Sequence, residues 1–237
     1  MIFDPNSILL DERLRTVADM IPNGARFADI GCDHGYLSAW LLREGRVSDC
    51  QLCDISSPSL DKARRLMKAL GLEGKVRFGV GDGAKALVGP VDCAVIAGMG
   101  SATIMHIIEQ GRKEFGDARL ILQPNVDAPE LRAFLMQNGY RIADERIARA
   151  GGRHYVILAV EPGEAEYSPM ELMCGPILLQ RGGEAFISFA DFRIRVAQKA
   201  LRGAQGGDGS RAAELELEIQ MWSEAKTRAL VYKTTDI

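Results

Sequence analysis

The chain has 237 residues, enough for one well-buried domain and a smaller appendage. Its 47% hydrophobic and 26% charged content is ordinary for a soluble globular protein, and no apolar run approaches the ~18 residues needed to cross a bilayer. A net charge of −3 neither announces nor excludes a nucleic-acid partner, since a local basic face is enough for one.

The N-terminus, Met1-Ile-Phe-Asp-Pro-Asn6, lacks the basic and apolar regions of a secretion signal, so the cytoplasm is the expected compartment. From there apolar strand-like runs alternate with helical periods. The runs are Arg26–Ile30, Asp49–Asp54, Val76–Val80, Asp92–Ala97 and Arg119–Gln123. The helical patterns are Tyr36–Arg43, Pro58–Leu70, a short piece at Ala84–Leu87, Ala102–Lys113 and Ala128–Gln137. Such alternation predicts a parallel sheet covered on both faces.

Local chemistry marks several boundaries. Ser57-Pro58 offers a capping hydroxyl before a proline, and Ser101 offers one to the helix that follows it. Asp127-Ala-Pro-Glu130 is close to a capping box, with Val126 and Leu131 placed as its hydrophobic staple. Gly71 and Gly139 read as helix ends. After residue 139 the pattern changes to two strands, Tyr140–Arg149 and His154–Glu161, joined by the hairpin turn Ala150-Gly-Gly-Arg153. A five-stranded parallel sheet finished by an antiparallel hairpin is the layout of class I methyltransferases. The expected fold is therefore α/β: a doubly wound, Rossmann-like, seven-stranded sheet over residues 1–163.

Residues 164–237 read differently. Ile187, Ala190, Ile194, Ala197 and Leu201 follow a heptad spacing, and Ala212, Leu215, Ile219, Trp222 and Ala229 repeat it. Gly203-Ala-Gln-Gly-Gly-Asp-Gly209 lies between them as a flexible turn. This predicts a C-terminal antiparallel two-helix hairpin resembling a short coiled coil.

The five cysteines, Cys32, Cys50, Cys53, Cys93 and Cys174, are scattered, which argues for free thiols. Cys50 and Cys53 have the CxxC spacing, but on a strand positions three apart face opposite ways. No metal is expected.

Candidate site residues gather at the strand ends. The first strand ends in Gly31-Cys-Asp-His-Gly35 and opens directly into a helix. A pyrophosphate loop needs three glycines there; here two remain, with Asp33 between them. A carboxylate repels phosphate and suits a cation, which points to a sulfonium cofactor, S-adenosylmethionine, over a dinucleotide. Asp29, Asp33, Asp54 and Asp82 all fall at strand ends or just beyond and would converge on one crevice. Asp54 is placed for ribose hydroxyls, and Asp82, in Gly81-Asp82-Gly83, for an adenine amino group. Gly98 and Met99 follow the fourth strand, where methyl group and acceptor meet, and Gln123 and Asn125 end the fifth with amides suited to a base edge. His34 is the best placed of the histidines. For a nucleic-acid partner, Arg195, Lys199 and Arg202 form a stripe at i, i+4 and i+7, and Arg64, Arg65 and Lys68 a second cluster.

Five motifs in order, Asp29-Ile-Gly-Cys-Asp-His-Gly-Tyr-Leu37, Gly81-Asp-Gly83, Ile96-Ala-Gly-Met-Gly100, Leu120-Ile-Leu-Gln-Pro-Asn125 and Gly175-Pro-Ile-Leu178, carry a family resemblance. From Leu10 to Leu179 the chain resembles the TrmK-type bacterial tRNA (adenine-22-N1)-methyltransferases, with a helical hairpin also matching that family. It differs where the family has Ser at the place of Cys32, Ala at Gly35, Pro at Ser38 and Gly at Ser101. The resemblance implies methyl transfer from S-adenosylmethionine to adenine N1 in tRNA. It implies Asn125 and Gln123 orienting the base, and Asp33 with Gly98 and Met99 shaping the transfer centre. A monomer or homodimer without membrane attachment is expected. Rival readings are a methyltransferase for small molecules or proteins, a NAD-dependent oxidoreductase disfavoured by Asp33, and a non-catalytic adaptor.

Overall fold

The computed structural model describes residues 8–204 and 209–235. Met1–Asn6 and most of the turn expected between residues 203 and 209 lie outside the described residues.

The sheet is built from β1 (Phe27–Ile30), β2 (Cys50–Asp54), β3 (Val76–Val80), β4 (Cys93–Met99), β5 (Arg119–Pro124), β6 (Tyr140–Ala150) and β7 (Arg153–Pro162). Between them run α2 (Tyr36–Arg43), α3 (Ser57–Ala69), a 3₁₀ turn at Gly83–Ala86, α4 (Ser101–Phe115) and α5 (Ala128–Gln137), preceded by α1 (Glu12–Asp19). Strand order is β3-β2-β1-β4-β5-β7-β6. The first five strands are parallel, while β7 runs antiparallel to β5 and β6 to β7. The order reverses between β1 and β4, and a doubly wound sheet opens its ligand crevice at the carboxyl ends on either side of such a point.

Fully buried strands read as apolar runs because both faces are covered. On one face α1, α2 and α3 pack through Val17, Leu41, Leu60 and Met67. On the other, α4 and α5 pack through Ile104, Ile108, Leu131 and Leu135. Cys50 belongs to the first core and Cys53 to the second, so the CxxC thiols face opposite sides of the sheet.

The β6–β7 turn has Gly151 at φ +55° and Gly152 at φ +75°, the left-handed pair that a two-residue hairpin requires. Because Leu122 pairs with Leu158, residues 149–154 rise beyond the end of β5, on the crevice side.

Four capping expectations fail. The cap of α3 is Ser56, whose hydroxyl accepts from Ser59 N, with Ser57 already helical. Asp127 sits at φ +58° and caps nothing with its side chain. Val126 is 58% exposed and cannot staple against Leu131. Both follow from Ser101, which does not cap α4 but donates its hydroxyl to the carbonyls of Val126 and Asp127 at 2.5 and 3.0 Å. That tie fixes the backbone ahead of α5 in a shape incompatible with a capping box.

The C-terminal extension comprises α6 (Pro169–Cys174), α7 (Pro176–Arg181), α8 (Gly183–Gly203) and α9 (Gly209–Thr235). The last two pack antiparallel, linked by Asp191–Lys226 at 2.7 Å and Arg193–Glu218 at 2.6 Å. Ala190, Ala197, Leu215, Trp222 and Ala229 are buried along the expected seam, joined by Phe186, Phe189 and Ala225. Phe186, Phe189, Ala190, Trp222, Ala225 and Ala229 are continuous with the core over α4 and α5. Among the described residues no helix is long and apolar enough to cross a membrane.

Candidate active site at the carboxyl ends of the strands

The loop after β1 is held by backbone bonds. Gly31 and Cys32 donate to the Cys53 carbonyl at 2.7 and 3.2 Å, and Gly35 donates to Cys32 at 2.8 Å. Gly31 (φ +74°) and Asp33 (φ +44°) are both left-handed, a conformation that costs an aspartate energy and glycine nothing. Asp54 braces the turn from β2: one carboxylate oxygen accepts from Asp33 N at 3.2 Å, the other from Ser56 N at 2.8 Å.

Two adjoining cavities of about 340 and 260 Å³ open there. Asp29, Gly31, Asp33, His34, Gly98 and Met99 line the first. Gly31, Asp54, Gly81, Asp82, Gly83 and Met99 line the second. All ten sequence-nominated cofactor residues are therefore brought to one crevice. Their shared boundary is the Met99 thioether, whose Cε lies 2.0 Å from where a Cβ on Gly31 would stand. A larger cleft of about 630 Å³, bounded by Ser168, Gln180 and Arg228, is lined by the C-terminal extension alone and holds none of these residues.

Asp29 is buried and accepts a hydrogen bond from Ser38 Oγ at 3.0 Å. Burial raises its pKa to about 6, the Ser38 bond opposing and nearby Asp54 reinforcing the shift. Asp33 is 63% exposed at the rim, 3.8 Å from Lys62 Nζ and 3.6 Å from His34 Nε2. The His34 ring stacks on Tyr36, centroids 5.5 Å apart. Asp82 faces His106 at 3.9 Å.

The β4–β5 side is knit by amides. A bulge at Gly98 (φ +77°) turns its carbonyl to Asn125 Nδ2 at 2.8 Å, and Asn125 N donates to Met99 O at 2.8 Å. Gln123 is fully buried; its Nε2 donates to Pro124 O and Asn125 Oδ1, and its Oε1 accepts from Arg13 Nη1 at 2.7 Å. Asn125 is exposed, and neither it nor Gln123 is among the residues that line the two cavities.

Arg13 joins the candidate site without having been singled out from the sequence. It enters from α1, lines the first cavity beside Asp29 and Gly98, and lies over the Tyr155 ring at 5.6 Å. Asp11, which caps α1 through Leu14 N at 2.8 Å, followed by Leu14, Val17, Ala18 and Ile21, was the available signal.

A family profile described as a methyltransferase domain matches residues 10–158. The Bacillus subtilis tRNA (adenine(22)-N(1))-methyltransferase is 36% identical over 190 residues, covering 77% of this chain and 80% of the relative. The chain belongs to this methyltransferase family. The crystal structure of B. subtilis TrmK superposes with a TM-score of 0.83 at 30% identity, covering 93% of this chain and all of that one (100%). Streptococcus pneumoniae Sp1610, crystallised with S-adenosyl-L-methionine, gives 0.84 at 28% identity, covering 92% of this chain and 100% of its own. Within the family fold the Arg13–Gln123–Asn125 chain joins α1 to the end of β5, and the acidic crevice lies between.

Proposed function

We propose that the protein transfers the methyl group of S-adenosylmethionine to N1 of the adenine at position 22 of tRNA. Its membership of the tRNA (adenine(22)-N(1))-methyltransferase family carries this reading, and the crevice chemistry agrees with it. Residues 1–163 form the catalytic unit, and residues 164–237 present the RNA.

S-adenosylmethionine fits the crevice residues, and when bound it supplies an electrophilic methyl on a cationic sulfur. Asp29 and Asp33 complement positive charge, whereas a dinucleotide would set two phosphates against them. Arg13, which lines the first cavity, suits the amino-acid carboxylate. Asp54 receives ribose hydroxyls and Asp82 the adenine amino group, while Gly31, Gly81, Gly83 and Gly98 let backbone approach closely. His34 closes the rim, and Met99 lies along the middle.

Adenine N1 has an in-plane lone pair and no proton, so the protein need supply no general base. Its residues have to orient the base and keep the centre electrostatically suited. Asn125 holds the base edge. Gln123, buried behind it, is a positioning residue that acts through Asn125 and Arg13. Because N1 lies on the pairing edge, the adenine has to be unpaired or flipped out. Arg195, Lys199 and Arg202 contact phosphate.

Incubation of the purified protein with labelled cofactor and tRNA should place methyl on N1 of adenine 22, and none on a transcript with that adenine replaced. Label entering a protein extract or small molecules instead would reverse the reading.

Asp29 also sets an expected pH dependence. Its pKa of about 6 means that the ligand-free protein protonates it below that pH. A cation binds the ionised form, so cofactor affinity should be full above pH 7 and fall as pH drops through about 6, approaching tenfold per unit below it. Calorimetric titration between pH 5 and 7.5 checks this; Asp29→Asn should flatten the profile, and an equally steep fall in that variant would assign it elsewhere.

A further inference from the structure

The crevice accounts for the acidic strand ends but leaves a concentration of positive charge unused. Many arginines of the sheet and helices sit against a carboxylate, among them Arg26, Arg77, Arg119, Arg141 and Arg193. Among the described residues, no carboxylate lies within ion-pair distance of Arg149, Arg153, Arg195, Lys199 or Arg202. Arg149 and Arg153 flank the β6–β7 turn; the other three lie on the exposed face of α8.

The two groups meet at His154. Its Nε2 is 3.4 Å from Ser188 Oγ, and its ring lies 5.1 Å from Phe192 and 5.7 Å from Phe189. Its pKa is lowered by burial first and then by Arg149 and Arg195, so a cation approaches from each element. Ser188, Phe192, Arg195, Lys199 and Arg202 follow one another at helical spacing, giving a single stripe that starts at the hairpin. The hairpin tip rises beyond the end of β5 on the crevice side, with His154 turned to α8 and Tyr155 to the opposite face of the sheet, where it carries the Arg13 guanidinium that lines the first cavity. The stripe thus starts at the tip that stands beside the crevice mouth. Phe192 is 37% exposed and Val196 47%, an apolar strip inside an uncompensated cationic face. Flat rings on a polyanion are the complement of such a surface, and unstacked bases of RNA supply both.

We propose that the β6–β7 tip and α8 form one RNA track leading out of the crevice, on which Phe192, backed by His154, stacks an unpaired base of the RNA that carries the target adenine. Arg149 and Arg153 hold the phosphates nearest the active site, and the α8 cations continue the line. This rests on the tRNA methylation reading and adds to it a second nucleotide seat, outside the target-base pocket.

Equilibrium binding of a tRNA transcript at several salt concentrations tests it. Phe192→Leu keeps an apolar side chain against Phe189 but removes the flat ring. It should weaken binding about tenfold with an unchanged salt slope, and Phe192→Trp should bind like wild type. The double variant Arg149→Gln/Arg153→Gln should weaken binding and lower the slope of log K against log salt by about two. Melting temperature and cofactor affinity should stay at wild-type values in all of them. Wild-type affinity in Phe192→Leu, a loss that Phe192→Trp shares, or an unaltered slope in the double variant overturns the track. If wild type methylates tRNA while these variants bind normally, only the track falls; if wild type neither binds nor methylates tRNA, both readings fall.

Discussion

Glu145→Gln should destabilise the protein by about 3–5 kcal/mol, because it leaves a buried guanidinium without its counter-ion. Arg132 and Glu145 are 1% and 0% exposed and share a 2.7 Å bond from Nε to Oε1. Arg132 Nη1 donates to the carbonyls of Leu172 and Met173 at 3.0 and 3.2 Å, at the end of α6. The other oxygen of Glu145 accepts from Ile177 N and Leu178 N at 3.1 and 3.4 Å, at the start of α7. A carboxylate at a helix N-terminus is favoured by the unsatisfied N–H groups there. The pair therefore fastens the bend between α6 and α7 to α5 and β6. At the bend stands Gly175 (φ +95°), where an added Cβ would come 2.7 Å from Glu145 Oε2 and 2.9 Å from Arg132 Nη2. That is the physical content of the Gly175-Pro-Ile-Leu178 motif. Since only Gly182 separates α7 from α8, the same pair sets where the cationic stripe lies relative to the crevice. Thermal melts should show a fall on the order of 10 °C for Glu145→Gln. The double variant Arg132→Met/Glu145→Leu should recover part of it, since an apolar pair removes both desolvated charges. A melt within a degree of wild type for Glu145→Gln would mean that the bend is held by packing alone.

The parts of this fold that sequence made plain are those whose physics is local or repeats with a fixed period. Strands covered on both faces read as apolar runs, so β1–β5 and their helices are located to within a few residues. The glycine pair 151–152 announces the hairpin because few other residues tolerate its dihedrals. The acidic crevice was legible for a related reason: in a doubly wound sheet, topology brings successive carboxyl ends together, so Asp29, Asp54 and Asp82 need only be placed on strand ends. What escaped depends on contacts distant along the chain. Helix α1 is short and largely polar, with Glu12, Arg13, Arg15 and Asp19 among its eight residues, and it is stabilised by packing beneath the sheet. The αL turn at Asp127 is imposed by Ser101, 26 residues earlier. The burial of Gln123 is equally invisible, because an amide at a strand end reads the same whether it faces substrate or interior. Only Arg13, 110 residues away, reveals which.

That last contact separates two amides that sequence treats alike, and it sharpens the expected kinetics. Asn125→Ala should lower kcat about 100-fold, a loss typical of removing one well-placed orienting or polar group from a reaction centre, while cofactor affinity changes less than about threefold. One backbone bond and one backbone conformation argue for the second half of that statement. Asn125 N still donates to Met99 O in the variant, and the Gly98 turn keeps its left-handed glycine, so the cavity wall survives the loss of one side-chain bond. Gln123→Ala should behave differently. It frees Arg13 from its 2.7 Å partner and leaves Asn125 Oδ1 unbraced, so cofactor affinity and kcat should fall together. Gln123→Glu should restore the grip on Arg13 but lose the N–H donor to Asn125, recovering cofactor affinity without recovering kcat. Calorimetric titration of cofactor beside steady-state kinetics on tRNA resolves the three variants. If Asn125→Ala loses cofactor affinity in step with kcat, Asn125 belongs to the crevice wall and the base is oriented by another group. If Gln123→Ala lowers kcat alone, Arg13 is held without Gln123, and the chain from α1 to the end of β5 does not couple the two halves of the site.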